Sequence, residues 1–256
     1  SAHQGGAVFV SGIDSVIVYQ NRLIFNQAST GGGMLFYRVQ RYVCSHCYFF
    51  NNLASKTGGG VLLDKILHVL INNSSFIKNS GMRGGAVYAI NINSLNLIDL
   101  NISDNCVNGE GGGLYITKTV LCSINVSSFI GNIVTGYKST SGGALLVNKA
   151  GIVEIYKSNF VHNVAMESGA AIIQWNTNKT LIVQCIFVDN TLTSTSPDGG
   201  AVLFNQQFDM VFILNCTAIS SRTNAIYTHR GSSLVITKSR FRNNIYKSLG
   251  VAIYAV

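Results

Sequence analysis

Apolar and small residues recur along this chain at a fixed long spacing. The motif Gly84-Gly85-Ala86-Val87-Tyr88 is followed, sixteen residues after Ala86, by Ile102-Ser103-Asp104-Asn105. The small residue closing the first motif recurs at Ala7, Gly33, Gly60, Ala86, Gly113, Ala144, Ala171, Ala201, Ala225 and Ala252. The apolar residue opening the second recurs at Leu23, Phe49, Phe76, Ile102, Phe129, Phe160, Phe187, Ala218 and Phe241. Eight of the nine separations are 16 residues and the ninth, from Ala201 to Ala218, is 17. Such constancy indicates a solenoid.

Within each repeat the apolar positions alternate with a period of two, as Leu95 and Leu97 do. That period is typical of β-strands, and no stretch of ten or more residues has the spacing of an amphipathic helix. Stacking like residues in register predicts an all-β fold, a right-handed parallel β-helix of about nine coils with roughly 27 residues each. A leucine-rich repeat is the alternative, because Leu95-Asn96-Leu97 and Asn105 fit its pattern superficially. It predicts neither a Gly-Gly corner nor the constant spacing.

An asparagine follows the apolar residue of the second motif by three positions. Asparagine tolerates left-handed backbone angles, so this column predicts a turn. Stacked at the strand spacing, its amides also predict a hydrogen-bonded ladder. The ladder residues are Asn26, Asn52, Asn79, Asn105, Asn132, Asn163, Asn190 and Asn244. The Gly-Gly pair predicts a second corner.

Composition restricts the class of protein. With 47% apolar and 11% charged residues the chain is not a disordered one. The net charge of +8 comes from scattered basic residues, which we interpret as surface charge. We therefore expect no nucleic-acid partner. No apolar run is long enough to span a membrane. We expect a single β-helix domain over residues 1–256, open at both ends and forming a segment of a longer chain.

The alternating motifs resemble the GGA[ILV] and FxxN repeats of the polymorphic outer-membrane proteins of chlamydiae and of related surface proteins of protists. The glycine motif matches in full at Gly5-Gly6-Ala7-Val8, Gly84-Gly85-Ala86-Val87, Gly142-Gly143-Ala144-Leu145 and Gly199-Gly200-Ala201-Val202. The FxxN motif matches at Phe49/Asn52, Phe76/Asn79, Phe129/Asn132, Phe160/Asn163, Phe187/Asn190 and Phe241/Asn244. The resemblance implies a surface-exposed β-helix used in adhesion.

Catalytic and metal chemistry find little support in the repeats. Asp104 and Asp189 share a column but lie three coils apart, beyond the carboxylate separations that glycosidases use. Cys44-Ser45-His46-Cys47 lacks a second ligand pair at zinc-site spacing. We expect no catalytic residue, no metal site and no cofactor. A polysaccharide lyase or hydrolase remains an alternative, because β-helices also build such enzymes.

Cysteines and glycosylation sequons mark candidate modification sites. Cys185 and Cys216 occupy one column in adjacent coils, so their Cα spacing allows a disulfide; the alternative is two packed thiols. Cys44, Cys106 and Cys122 have no partner in their columns and are expected to be packed thiols. N-glycosylation sequons occur at Asn72, Asn73, Asn101, Asn125, Asn178 and Asn215.

The outer surface is where we expect function. Insertions before the glycine motif, from Thr135 to Ser141 and from Thr191 to Asp198, predict loops on one rim. Two adjacent apolar columns follow that motif, and alternation predicts that one forms an exposed stripe. We therefore expect a non-enzymatic extracellular or cell-surface structural or adhesive glycoprotein that builds a fibre or assembly. Self-association or other surface proteins are the expected partners. The alternative is a glycan- or protein-binding adhesin module acting through the rim.

Overall fold

The computed structural model describes residues 2–136, 141–194, 199–220, 224–244 and 253–255, and every regular element among them is a β-strand. The strands are β1 Ala2–Gln4, β2 Val8–Ser11, β3 Ser15–Tyr19, β4 Arg22–Ile24, β5 Gln27–Thr30, β6 Met34–Ser45, β7 Tyr48–Phe50, β8 Leu53–Thr57, β9 Val61–Ile77, β10 Ser80–Arg83, β11 Val87–Ser103, β12 Cys106–Glu110, β13 Leu114–Asn125, β14 Ser128–Ile130, β15 Ile133–Val134, β16 Leu145–Tyr156, β17 Asn159–Val161, β18 Val164–Ala165, β19 Ile172–Val183, β20 Ile186–Val188, β21 Thr191–Leu192, β22 Gly200–Leu214, β23 Thr217–Ile219, β24 Asn224–Thr237, β25 Arg240–Arg242 and β26 Ile253–Ala255. Across these ranges, no helix is both long and apolar enough to cross a lipid bilayer.

Each turn of the chain pairs in parallel with the turn before it and the turn after it. Strands β1, β5, β8, β10, β12, β15, β18 and β21 form one eight-stranded parallel sheet in that order. The longer strands stack likewise: Val61 of β9 lies opposite Met34 of β6 and Val87 of β11. The predicted parallel β-helix is confirmed, with about eight turns where the sequence suggested about nine.

The core is a set of apolar columns that run along the axis of the solenoid. Phe49 and Phe76 stack with ring centroids 4.4 Å apart. Phe129 and Phe160 stack at 4.6 Å, and Phe160 and Phe187 at 5.0 Å. These rings are almost fully buried. Because each ring packs on its counterparts in the neighbouring turns, burial of one turn's apolar face depends on the turns beside it.

Two corners in each turn were not predicted from the sequence. The 17-residue strand β9 bends at Lys65 and Asn73, which have φ of 57° and 47°. Strand β11 bends at the matching Asn91 and Asp99, with φ of 57° and 52°. Single left-handed residues turn the strand without ending its pairing. These four side chains are polar but differ in type, so no single residue marks these corners as the Gly-Gly pair marks its own.

The irregular 17-residue spacing also has a structural cause. The register between β22 and β24 shifts between Gly200 and Leu203, where β22 carries one extra residue. Leu203, rather than Val202, therefore lies opposite Ile172, and Phe204 lies opposite Ile173. The motif Gly199-Gly200-Ala201-Val202 would place Val202 opposite Ile172, and the extra residue shifts that pairing by one position.

Candidate functional site

The asparagine column forms a continuous ladder of side-chain hydrogen bonds from Asn26 to Asn190. At its centre, the Oδ1 atom of Asn105 accepts from the backbone N–H of Asn79 at 2.9 Å and from its Nδ2 at 3.1 Å. The Nδ2 of Asn105 donates to Asn132 Oδ1 at 2.9 Å and to the carbonyl of Phe76 at 2.9 Å. The same pattern links Asn26, Asn52, Asn79, Asn105, Asn132, Asn163 and Asn190. Asn244 donates at 3.5 Å to the carbonyl of Ala218. The ladder ties each turn to both neighbours inside the core.

The turn beside the ladder is made by the residue before each asparagine. Asn51, Lys78 and Asp104 have φ of 51°, 56° and 55°, whereas the ladder residues that follow them do not have positive φ. We had placed the left-handed backbone on the ladder asparagine itself, and that detail was wrong. The asparagine is needed for its buried amide, and the corner residue before it is free to vary.

A second column, two residues before the phenylalanine, combines serines and cysteines. The hydroxyl of Ser127 donates to the carbonyl of Asn125 at 2.9 Å and accepts from the backbone N–H of Leu100 at 3.2 Å. Cys185 occupies the same position, and its thiol donates to the carbonyl of Val183 at 3.4 Å. A small donor satisfies backbone groups at this corner in most turns. The column is visible in the sequence, but its bonding is not.

The predicted disulfide between Cys185 and Cys216 is absent from the structure, in which both thiols are free and buried. Contact between the two thiols raises the pKa of Cys185 and lowers that of Cys216.

Another thiol contact occurs within one turn. Cys44 and Cys47 are both buried, and their mutual hydrogen bond raises the pKa of Cys44 and lowers that of Cys47 to about 7. Cys44 therefore has a thiol neighbour that the sequence analysis did not predict. Comparing equivalent positions in neighbouring turns does not reveal contacts between residues three apart in the same turn. Cys122 is buried, and burial raises the pKa of its thiol to about 12, as expected of a packed thiol. Cys106 is only partly buried.

All six thiols are expected to react once the protein is unfolded without reductant. Denaturation in guanidinium with iodoacetamide, followed by intact-mass measurement, should add six alkyl groups, one for each cysteine. A sample reduced before alkylation is the control and should give the same mass. Two fewer groups in the unreduced sample would contradict the free-thiol geometry.

The corner column before the ladder holds few titratable side chains in the described turns. His162 and Asp189 lie in adjacent turns with Nδ1 and Oδ2 3.8 Å apart, and both side chains are largely exposed. Asp104 lies two turns before His162 in the same corner column. No group of three or more His, Cys, Asp and Glu residues able to hold a metal ion occurs among the described residues. Asp198, in one of the rim insertions, lies outside the described residues.

The sequons differ in exposure. Asn73, Asn101, Asn178 and Asn215 are exposed. Asn72 and Asn125 are only partly exposed, and the Oδ1 of Asn72 is buried. Four sequons can therefore carry a glycan in the folded protein without rearrangement.

The apolar column predicted to form an exposed stripe is instead largely covered. Leu35 is 4% exposed, Leu62 9% and Ile173 0%, whereas Phe9 in the first turn is 49% exposed. Tyr115, Leu146 and Ile173 form a buried cluster of their own outside the main core. Side chains from both sides of the glycine corner line this column, among them Thr30 before the corner and Tyr37 after it.

We call this concave surface the corner groove. Its floor is the in-register column Phe9, Leu35, Leu62, Tyr88 and Tyr115. One wall is the column Gln4, Thr30, Thr57, Arg83 and Glu110, and the other is the column Ser11, Tyr37 and Asp64. Over the first three turns it is an open depression of ≈ 470 Å³. Further along, the rings of Tyr88 and Tyr115 stack at 5.0 Å. Sequence reasoning missed this groove because it depends on how sharply the glycine corner bends.

Polar groups in the walls are held in place by their neighbours. Arg83 Nε lies 3.1 Å from Glu110 Oε2, and the Arg83 guanidinium lies 5.9 Å from the centre of the Tyr115 ring. Burial raises the pKa of the Glu110 carboxyl, although Arg83 opposes that shift. Asp64 Oδ1 accepts from Asn91 Nδ2 at 2.9 Å. Burial raises the pKa of Tyr115 to about 12. The groove thus combines an apolar aromatic floor with oriented polar side chains.

Comparisons with known proteins give one distant relative. No family model matches the chain, and no solved structure matches it. Over 187 residues the chain is 28% identical to metabotropic glutamate receptor-like protein R of Dictyostelium discoideum. The aligned segment covers 72% of this chain and 10% of that relative, so the chain is similar to a small part of a much longer receptor-like protein.

Proposed function

We propose that the chain is a non-enzymatic structural and adhesive module of an extracellular or cell-surface protein, and a building block of a fibre or surface assembly. The observation that carries this proposal is the contrast between a constant interior and a variable exterior. The core repeats phenylalanine and asparagine turn after turn. The corner residues beside them change from Lys78 to Asp104 to His162. A rigid support that presents changing side chains suits recognition at a surface.

Two further observations support a position outside the cell. Four exposed sequons fit a protein that passes through a secretory pathway. The similar segment in a protein named as receptor-like fits a module that is displayed on a cell.

Surface labelling and adhesion test this proposal together. Antibody against the chain should label intact, unpermeabilised cells of the source organism, and beads coated with the purified chain should adhere to those cells. Soluble chain should compete with the beads, and beads coated with an unrelated β-solenoid are the control. Labelling only after permeabilisation, or equal adhesion of the control beads, would overturn the proposal.

A separate assay addresses the enzymatic alternative. Incubating the chain with neutral and acidic polysaccharides should release no new reducing ends and no unsaturated uronate. Either product, abolished by changing Asp189 or Glu110, would favour a polysaccharide hydrolase or lyase.

Glycosylation gives a third test. When the chain is secreted from a eukaryotic cell, Asn73, Asn101, Asn178 and Asn215 are expected to accept glycans, because their side chains face solvent. Changing each to glutamine should lower the mass by one glycan, as measured on intact protein. Asn125→Gln, at a partly exposed sequon, is the matched control and should leave the mass of the attached glycans unchanged. Secreted chain without glycan at all four positions would contradict this expectation.

A further inference from the structure

We propose that a row of basic and amide side chains along one corner of the solenoid binds a linear acidic polysaccharide. The row consists of Arg38, Lys65, Asn91, Lys118, Lys149, Asn176, Gln207 and Arg230, and we call it the basic ridge. This inference rests on the proposed function and names the class of ligand that the surface recognises. The basic ridge is a different surface from the corner groove and from the rim insertions.

Strand pairing places the residues of the basic ridge in one line. Each has positive φ and bends a long strand at the same point of its turn. Lys118 and Lys149, for example, lie in adjacent turns between residues of β13 and β16 that pair in register. Seven steps of about 4.8 Å give a row roughly 34 Å long. Because each member lies in a different repeat, the cations are scattered in the sequence and are aligned only by the fold.

Composition sets this corner apart from the others. Every residue of the basic ridge carries a side-chain N–H group, and none is acidic or apolar. Of two other columns of left-handed corner residues, one contains Asp99 and Val126, and the other contains Phe25 and Asp104. A left-handed corner therefore does not require such uniformity, and the shared chemistry of the basic ridge points to a ligand.

The cations of the basic ridge keep their charge available to a ligand. Within the described ranges, neither of the two ion pairs includes a residue of the ridge. Lys65 Nζ donates to Tyr37 Oη at 3.2 Å, and the Arg38 guanidinium lies 4.9 Å from the centre of the same ring. These contacts orient the two cations without neutralising them.

The columns beside the basic ridge do not cancel its charge. They carry the carboxylates Asp14, Asp64 and Asp209 and the further cations Arg41 and Lys179. Together with the arginines and lysines of the ridge itself, cations outnumber carboxylates along this edge. Such an edge attracts anionic ligands.

The form of the row favours a polysaccharide among anionic ligands. Acidic polysaccharides are linear, and their carboxylate or sulfate groups are interspersed with hydroxyls. The carboxamides of Asn91, Asn176 and Gln207 donate to and accept from hydroxyls, and they are interspersed with the cations in the same way. A nucleic-acid duplex winds its phosphates around an axis, so it would meet a straight row at few points. Single strands bind by stacking on aromatic rings, and no residue of the ridge is aromatic.

An anionic lipid surface is the rival ligand. Leu67 and Val120 are exposed beside the basic ridge, by 50% and 61%, and exposed aliphatic side chains next to cations also suit a membrane surface. A bilayer presents a plane, however, whereas the ridge is one residue wide at a bend of the strands. A line of contact fits a chain better than a plane, and vesicles serve as the comparison in the test.

Binding is tested on the full chain by calorimetry with octasaccharides of galacturonate and of chondroitin sulfate, and with maltooctaose as the neutral comparison. We expect at least one acidic octasaccharide to bind and maltooctaose not to bind. The corresponding acidic disaccharide should bind about tenfold or more weakly, because it spans only a small part of the row. Raising sodium chloride from about 50 mM to about 300 mM should weaken binding, since salt screens exposed charges.

A matched pair of double variants locates the binding. Lys118→Gln combined with Lys149→Gln removes two cations from adjacent turns of the basic ridge. Lys78→Gln combined with Lys157→Gln removes two exposed cations from the other left-handed corners. Both variants lose the same net charge, and glutamine already occupies such a corner at Gln207, so thermal melts should show both folded. We expect the ridge variant to bind about tenfold or more weakly and the control variant to bind within about twofold of the parent.

Three results would overturn the inference: no binding of either acidic octasaccharide, equal losses of affinity in the two double variants, or tighter binding of phosphatidylserine vesicles or single-stranded DNA than of the acidic octasaccharides. If coated beads adhere to cells while any of these results is obtained, the adhesive function stands and the assignment of the basic ridge fails. If an acidic octasaccharide binds at the ridge but the beads do not adhere, the ridge stands and the adhesive function fails.

Discussion

Asn105→Ala is expected to lower the free energy of unfolding by about 4 kcal/mol, because it leaves buried backbone groups without partners. The backbone N–H of Asn79 loses its acceptor, and the carbonyl of Phe76 loses its donor. Asn105 is fully buried at the centre of the ladder, so water cannot replace these partners without opening the core. Chemical denaturation followed by circular dichroism measures the change.

The control for this variant is Asn108→Ala. Asn108 is exposed in strand β12 of the same turn, three residues further on, and its replacement should change stability by less than about 0.5 kcal/mol. Equal effects of the two changes would show that a ladder asparagine contributes no more to the free energy of unfolding than an exposed asparagine does. A lower denaturant slope for Asn105→Ala would indicate that the two halves of the solenoid unfold separately.

Gly85→Ala is expected to destabilise the protein by about 3 kcal/mol or more, because the corner has no room for a methyl group. A Cβ atom at Gly85 would lie 2.3 Å from the carbonyl oxygen of Gly112 in the next turn and 3.0 Å from the Cβ of Asn105. The backbone would have to move apart at the point where successive turns pair. Alanine does occur at the corresponding Ala170, where the adjoining turn carries the register shift after Gly200.

Gly12→Ala separates crowding from backbone conformation. Gly12 has φ of 70°, but a Cβ atom there would meet nothing within 4 Å. Its replacement by alanine should therefore lower the free energy of unfolding by only about 1 kcal/mol, because alanine disfavours the left-handed backbone conformation. Thermal and denaturant melts of the two variants make the comparison. A Gly85→Ala protein no less stable than Gly12→Ala would contradict the close approach of turns at this corner.

The parts of the fold that could be predicted from the sequence are those in which a side chain packs against the same residue type in the neighbouring turn. Phe129 packs on Phe160 because in-register stacking puts the same column position together, and a column is readable from spacing alone. The ladder follows for the same reason, since Asn105 meets Asn132. Position in the repeat fixes these neighbours, whatever the shape of the corners between them.

The parts that could not be predicted depend on where the chain bends. Lys65 adopts a left-handed backbone conformation although nothing in its side chain requires it. Strand pairing with the neighbouring turns holds its backbone in that conformation. The groove exists because the glycine corner brings Arg83 towards Tyr115, which no column relates to it. The state of the cysteines is a similar case: spacing places Cys185 beside Cys216, but it does not show that both thiols are free.

The ladder gives this molecule a simple way to change its length. Every internal asparagine makes equivalent bonds to the turn on either side, so Asn79 meets Asn105 as Asn105 meets Asn132. A gene duplication or deletion of one whole repeat would bring together two surfaces that already fit. Such a change would lengthen or shorten the solenoid by one strand spacing. The interior contacts between neighbouring turns would keep the same residue types. Evolution could thus adjust the span of the solenoid and the chemistry of its outside independently.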